Sequence, residues 1–402
     1  MYNGLNDLPK LSIQGDFWDC QIYKGKLYLW TFDGKIITYN WDSFISDCMK
    51  NSRADLAMTC AFLKGYYLYN PSFDLFFGNN EIKEIIKNQF KTLSRKKLFF
   101  TEKDLEKYIL GTQDLFTPEL SIDSGVYYNK FYVADETGIY SASANDPRLI
   151  KPISTRTHKL WDGHSLSLKI GRGGNIAVSA GSDGLFEYNQ QVYNSDRMKL
   201  INARHSSSSN WAFSSIYSTS YLDGSFLSPY YYDDDNGGHR PNEIIDDSVI
   251  FGDKNGLSWA YNEKFYKYSN DAISIVRFTQ KNLKSEENKA FEHIDTIKLQ
   301  SWKGDVISTG VSHFGTILEC DNAMIILPSD TSDNTPITIP GRVVRWRVYP
   351  KSIDYINHLH IITETSIDIY SFNNDYLVDQ KSKKYGAEYK YYTRNNYRQH
   401  YN

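Results

Sequence analysis

WDCQIYKGKLYLWTFDGKIITYNW, residues Trp18–Trp41, reads as three strands and two turns. Trp18–Lys24, Lys26–Phe32 and Lys35–Trp41 are rich in aromatic and β-branched residues, the side chains that suit a pleated, half-buried surface. Gly25 separates the first pair and Asp33-Gly34 the second. Asp-Gly between two such runs marks a tight hairpin, because glycine accepts the positive φ that the turn requires. Three strands joined this closely form a meander, most of one four-stranded unit.

The unit recurs. YVADETGIYS (Tyr132–Ser141), VSAGSDGLFEYN (Val178–Asn189) and IFGDKNGLSWAYN (Ile250–Asn262) repeat one order: an apolar run, a polar turn ending in Gly, and an apolar strand with a late aromatic. SHFGTILE (Ser312–Glu319) and TETSIDIYS (Thr363–Ser371) are weaker copies. The turn glycines stand at 34, 138, 184, 256 and 315, with Ser366 continuing the series. The interval of 104 before Gly138 is twice a period of about 52, which places a hidden unit around Phe62–Gly78. Seven units of forty-odd residues predict an all-β fold, a β-propeller of about seven four-stranded blades. A β-sandwich with coincidentally similar turns is the alternative.

Asp33-Gly34-Lys35-Ile36-Ile37-Thr38-Tyr39-Asn40 resembles the end of a WD40 repeat, with Tyr-Asn where Trp-Asp usually stands. Tyr188-Asn189 and Tyr261-Asn262 occupy the same place, and Tyr370-Ser371 does so more loosely. Gly163-His164 and Gly238-His239 lie upstream of two of these pairs, as that family's Gly-His dipeptide does. The resemblance implies that His164 hydrogen-bonds Asp183 and locks one blade. VSAGSDGLFEYN is also similar to blades of bacterial sensor propellers.

Three segments interrupt the repeat. In Asn80–Leu110, Ile82, Ile85, Ile86, Phe90 and Leu93 recur at helical spacing, and Thr101 with Asp104 forms a capping box. This predicts a helical insertion (80–111) between blades 2 and 3, with Lys83, Lys87, Lys91, Arg95, Lys96 and Lys97 on its outer side. A solvated face and a dock for an acidic partner or a phosphate backbone both fit those cations. Residues 217–247 read as a Tyr/Asp-rich loop insertion, in which Tyr230, Tyr231 and Tyr232 precede three aspartates. Tyrosines of this kind make contact surfaces at little entropic cost. The tail 376–402 carries Lys383, Lys384, Arg394 and Arg398 interleaved with Tyr389, Tyr391 and Tyr392. It is expected to dock on the protein's own propeller (1–375) or on a partner.

Composition bounds the function. A formal charge of −3 over 402 residues argues against bulk attraction to nucleic acid or anionic lipid. Cys20, Cys48, Cys60 and Cys320 have no close ligand spacing, so neither a zinc site nor a redox pair is expected. No secretory leader and no membrane-spanning run is read, so a cytoplasmic location is expected.

Among motifs for chemistry, the sequence has no HExxH, no GxSxG elbow and no GxxxxGK[ST] loop. His358-Leu359-His360 would put two imidazoles on one face of a strand, read as a packed or surface pair rather than metal ligands. Gly171–Gly174 reads as a hairpin loop. Asp123, Asp135, Asp253 and Asp305 are acids that a hydrolytic propeller could use.

The reading is therefore a non-enzymatic macromolecular-interaction propeller without a cofactor, a scaffold or recognition subunit whose partners are other protein subunits. Nucleic acid is the less favoured partner, through helix 83–97 and the tail, and no membrane is involved. The competing class is a glycan- or small-ligand-processing propeller enzyme.

Overall fold

The computed structural model describes residues 8–49, 55–68, 70–144, 157–190, 197–233, 237–252, 256–279, 283, 289–299, 305–328 and 336–373. β1 (Lys10–Gln14) is followed by β2 (Phe17–Tyr23), β3 (Lys26–Thr31) and β4 (Lys35–Asn40), close to the strands read in Trp18–Trp41. A mostly helical stretch comes next: α1 (Trp41–Met49), α2 (Asp55–Phe62), α3 (Asp74–Phe77), α4 (Asn80–Ser94), the short strand β5 (Leu98–Phe100) and the single turn α5 (Glu102–Leu105). β6 (Ile109–Asp114) then completes the first sheet in the order β2-β3-β4-β6.

The second sheet is β7 (Asp123–Tyr127), β8 (Lys130–Asp135), β9 (Gly138–Ser143) and β10 (Thr157–Trp161). The third is β11 (Ser167–Ile170), β12 (Ile176–Ser179), β13 (Leu185–Tyr188) and β14 (Met198–Asn202). In the fourth, β15 (Ser208–Ala212), β16 (Ser215–Thr219) and β17 (Phe226–Ser228) are followed by a separate hairpin, β18 (Tyr231–Asp233) and β19 (Gly237–His239). β20 (Ile245–Asp246) then closes that sheet and leads into α6 (Asp247–Phe251).

The fifth sheet is β21 (Leu257–Tyr261), β22 (Lys264–Ser269), β23 (Ala272–Phe278) and β24 (Phe291–Lys298). The sixth is β25 (Val306–Ser312), β26 (Gly315–Cys320), β27 (Ala323–Pro328) and β28 (Ile337–Pro340). The seventh joins β29 (Arg345–Val348), β30 (His358–Ile362) and β31 (Ser366–Ser371) to β1, which pairs antiparallel with β31 from Lys10↔Tyr370 to Gln14↔Ser366. β5 extends it, parallel to β1. The fold is thus all-β and propeller-like, built among the described residues from seven four-stranded antiparallel sheets, the seventh widened by β5.

Most of the sheets share one burial profile. Second strands are buried along nearly their whole length, as in β12 and β16, so both faces are covered and the sequence runs apolar or small without alternation. Fourth strands such as β10 and β14 are largely exposed. Alternate residues of a strand serve different layers. Ile176 and Val178 pack with Tyr132, Ile139 and Leu168 of one cluster, while Ala177 joins Leu185, Trp211, Ile216 and Phe226 in the next. Gly184 turns β12 into β13 at φ 102°, and a Cβ there would strike the Asn202 carbonyl oxygen.

The described residues form two compact units, one drawn from Met1–Leu27, Tyr39–Tyr108 and Ile307–Asn402, the other from Tyr28–Thr38 and Ile109–Val306. The helical insertion belongs to the first. The third, fourth and fifth sheets belong to the second.

Three expectations are corrected. The helical insertion does not lie between the second and third sheets: it leaves the first sheet after β4 and returns as β6. It begins at Trp41 rather than at residue 80, and Ile109 and Leu110 already belong to β6. Phe62–Gly78 is no blade, since its described aromatics fold into α2, 3-10 turns at Gly65–Leu68 and Pro71–Phe73, and α3. Tyr66–Tyr67, Tyr67–Phe73 and Phe76–Phe77 pack edge to face instead of lining a strand. Residues 217–247 are not a loop insertion, because they supply β17, β20 and most of the β18–β19 hairpin. The hidden seventh unit is this fourth sheet, in the interval between Gly184 and Gly256.

Candidate interaction surfaces

The insertion is fastened to its unit by buried polar contacts that start at the C-terminus of α2. The last carbonyls of a helix have no partner within it and must find one outside. Within the insertion, Trp41 Nε1 donates to Phe62 O at 2.7 Å, joining α1 to α2. Ala61 O accepts from His358 Nε2 at 2.8 Å, Ser371 Oγ at 2.8 Å and Asn357 Nδ2 at 3.2 Å. The His358–His360 pair is therefore packed, as read from sequence, and its first member serves as a helix cap.

A carbonyl only accepts, so His358 Nε2 carries the proton and Nδ1 is the acceptor. His360 Nε2, 3.2 Å away, donates to it, and His360 Nδ1 in turn accepts from the Tyr349 hydroxyl at 3.2 Å. Burial holds His358 neutral, lowering its pKa to about 4, and pushes His360 well below the ordinary value. On the other side, Phe44 packs against Phe100 and Tyr108, whose hydroxyl donates to Asp47 at 2.8 Å.

The predicted amphipathic helix is α4. Asn79 Oδ1 caps it by accepting from the Glu81 and Ile82 amides. Ile86, Phe90 and Leu93 are buried, while Ile85, counted with that stripe, is 54% exposed. The Thr101–Asp104 capping box forms as expected, but it opens only the single turn α5. Lys87, Lys91, Arg95, Lys96 and Lys97 are all exposed. α3, which packs against α4, leaves Leu75 96% and Phe76 49% exposed. Sequence reading missed these two residues, because an aromatic run was assigned to a strand.

The Tyr/Asp segment is better ordered than a loop. Tyr231, Tyr232 and Asp233 pair with His239, Gly238 and Gly237. Tyr230 and Tyr231 are half-buried, whereas the side chain of Tyr232 lies outside the described residues, as do Asp234 and Asp235. Arg240, 6% exposed, pins the hairpin base: Nε meets Glu187 Oε2 at 3.0 Å, and Nη1 and Nη2 donate to the Ser228 and Ser214 carbonyls at 2.9 and 3.0 Å. Its guanidinium also lies over the Tyr230 ring. Arg240→Ala would strand the Glu187 Oε2 and two carbonyls, at a cost of about 3 kcal/mol. Hydrogen exchange should show the β18–β19 amides opening faster while those of β12 and β13 keep their protection.

His164 and Asp183 are both exposed, and no hydrogen bond joins them. The turn at Asp183 closes instead through backbone bonds, Asp183 N to Ala180 O at 3.1 Å and Ala180 N to Gly184 O at 2.9 Å. The corresponding service is performed in the second sheet by Asp135, whose carboxylate accepts from the Thr137 and Gly138 amides. Asp123 accepts from Leu168 N and Lys169 Nζ at 3.0 and 3.1 Å, tying the second sheet to the third. Asp305 is exposed, and Asp253 lies outside the described residues. Burial raises the Cys20, Cys60 and Cys320 thiols to about 12 and Cys48 to about 11, so none is a thiolate at neutral pH. Gly171–Gly174 is the β11–β12 loop. The tail residues Lys383, Lys384, Tyr389, Tyr391, Tyr392, Arg394 and Arg398 lie outside the described residues.

No helix among the described residues is long and apolar enough to cross a membrane. No family model matches the chain, and no curated protein matches it.

Proposed function

We propose that the chain is a non-enzymatic recognition subunit, a propeller-like scaffold that presents the α1–α5 insertion to other protein subunits. The observation that carries this reading is the contrast between the insertion's two sides. One is fixed by Ala61, which accepts from His358, Ser371 and Asn357, and by β5, which pairs with β1. Away from these contacts the insertion offers five exposed cations on and just after α4, and α3 leaves Leu75 and Phe76 exposed. A rigid base with a charged and partly apolar outer face suits binding, because little entropy is left to lose on association.

The buried Asp19, Asp123, Asp135, His358 and His360 each hold internal hydrogen bonds, which favours a structural use of these groups over a chemical one. All four cysteines are free thiols, in keeping with a reducing, cytoplasmic setting. The WD40-like assignment draws support from Tyr39, Tyr188 and Tyr370, which lie at or near the ends of third strands, whereas Tyr261 ends a first strand.

Affinity purification of the native protein with mass spectrometry tests the proposal, repeated with K87E/K91E/R95E and with a chain truncated after residue 380. Defined protein partners should co-purify with the native chain and be depleted with the triple variant. Absence of any stoichiometric partner would overturn the reading. Retention of the partners by the truncated chain would remove the tail from the interface.

A further inference from the structure

We infer that the solvent side of α4 docks an acidic α-helix of a partner protein, a deepening that rests on the recognition reading above. Lys83, Lys87, Lys91 and Arg95 stand at every fourth residue. On an α-helix such positions form one inclined row that climbs about 6 Å per step, so the four cations span about 18 Å. The buried stripe Ile86, Phe90 and Leu93 turns Lys87, Lys91 and Arg95 to water, and Lys96 and Lys97 extend the charge past the helix end. Glu84 pairs with Lys87 at 3.1 Å, but their side chains are 64% and 51% exposed, and an exposed pair of this kind is readily exchanged.

Charge complementarity and spacing select the occupant. Glutamates or aspartates at i, i+4, i+8 on a second helix repeat at the same distance of about 6 Å, so the two rows can pair along their length. Leu75 and Phe76 add an apolar contact, which calls for an apolar side chain beyond one end of the partner's acidic row. A phosphate backbone fits less well. Glu81 and Glu84 are exposed on the same helix, and the chain's formal charge of −3 supplies no long-range attraction to a polyanion.

The probe is a labelled synthetic helical peptide with four glutamates at every fourth position and a leucine pair beyond one end. It is compared by fluorescence anisotropy, on the full chain, with a shuffled peptide of equal composition, a single-stranded RNA and phosphatidylserine vesicles. The patterned peptide should bind about tenfold more tightly than the shuffled one. K87E/K91E/R95E should weaken it about 10- to 30-fold with the thermal midpoint unchanged, and L75S/F76S should weaken it separately. Equal binding of both peptides, tighter binding of RNA or vesicles, no binding of the patterned peptide, or indifference to the triple variant would each overturn the inference. Native partners that co-purify equally with the triple variant would sink this surface while leaving the recognition reading intact.

Discussion

Asp19→Ala is expected to lower folding stability by about 3–5 kcal/mol, the cost of stranding buried charge. The carboxylate of Asp19 is fully buried and grips Arg347 in a two-point contact, Nε to Oδ1 at 2.9 Å and Nη2 to Oδ2 at 2.8 Å. Arg345 Nη1 reaches the same Oδ2 at 3.3 Å, and its guanidinium lies over the Trp18 ring. The two arginine side chains are only 15% and 12% exposed, so water cannot replace the lost carboxylate. Asp19 also accepts from the Cys20 amide. The contact joins β2 to β29, and its loss should loosen both. Urea denaturation measures the effect. Asp19→Leu with Arg345→Met and Arg347→Met should recover most of it, since apolar replacement of a buried ion cluster is often neutral. A loss below about 1 kcal/mol from Asp19→Ala would show that the arginines are solvated.

Acid should weaken the protein through His358. Its folded pKa of about 4 lies below the ordinary 6.5, so between these values the unfolded chain takes a proton that the folded chain refuses. Stability is therefore full above pH 6.5 and declines as pH falls toward 4, by about 3 kcal/mol from this residue. His360, depressed further by burial and by His358, adds to the slope at its acid end. The groups around the pair are Cys20, Tyr349 and Tyr355, none of which offers a carboxylate. His358→Gln keeps a donor for Ala61 O but does not titrate. Urea midpoints taken from pH 7.5 to 4 should fall less steeply in that variant than in the native chain. Parallel curves would contradict the assignment.

Much of the fold was legible because its strands obey local rules. Trp18–Trp41 names the first three strands of the first sheet to within a residue or two at most ends. The count of seven is also right, though for a partly different reason than the glycine series implied. Gly34 and Gly184 lie between second and third strands and Gly138 opens a third, but Gly315 opens a second strand and Gly256 precedes a first. The fourth sheet stayed hidden because its strands are built from buried serines. Ser215 and Ser218 are fully buried: Ser215 Oγ accepts from the Tyr230 amide at 3.0 Å, and Ser218 Oγ donates to Ser206 Oγ at 2.8 Å. Serine clusters read as loop, since nothing local shows that their hydroxyls will find partners inside.

The same limit hid the start of the insertion. Aromatic residues pack as well in a helical cluster as on a sheet, so Phe62–Gly78 satisfied the strand pattern without being one. The candidate surface was half legible. The cations of α4 follow from helical periodicity, whereas Leu75 and Phe76 required the fold to show which apolar residues remain uncovered.

Lysine-reactive cross-linking of the purified native complex, read by mass spectrometry, tests the recognition surface most directly. Cross-links from the partner should concentrate on Lys83, Lys87, Lys91, Lys96 and Lys97. Cross-links confined to lysines of the outer strands, such as Lys199 and Lys298, with none on α4, would contradict the account.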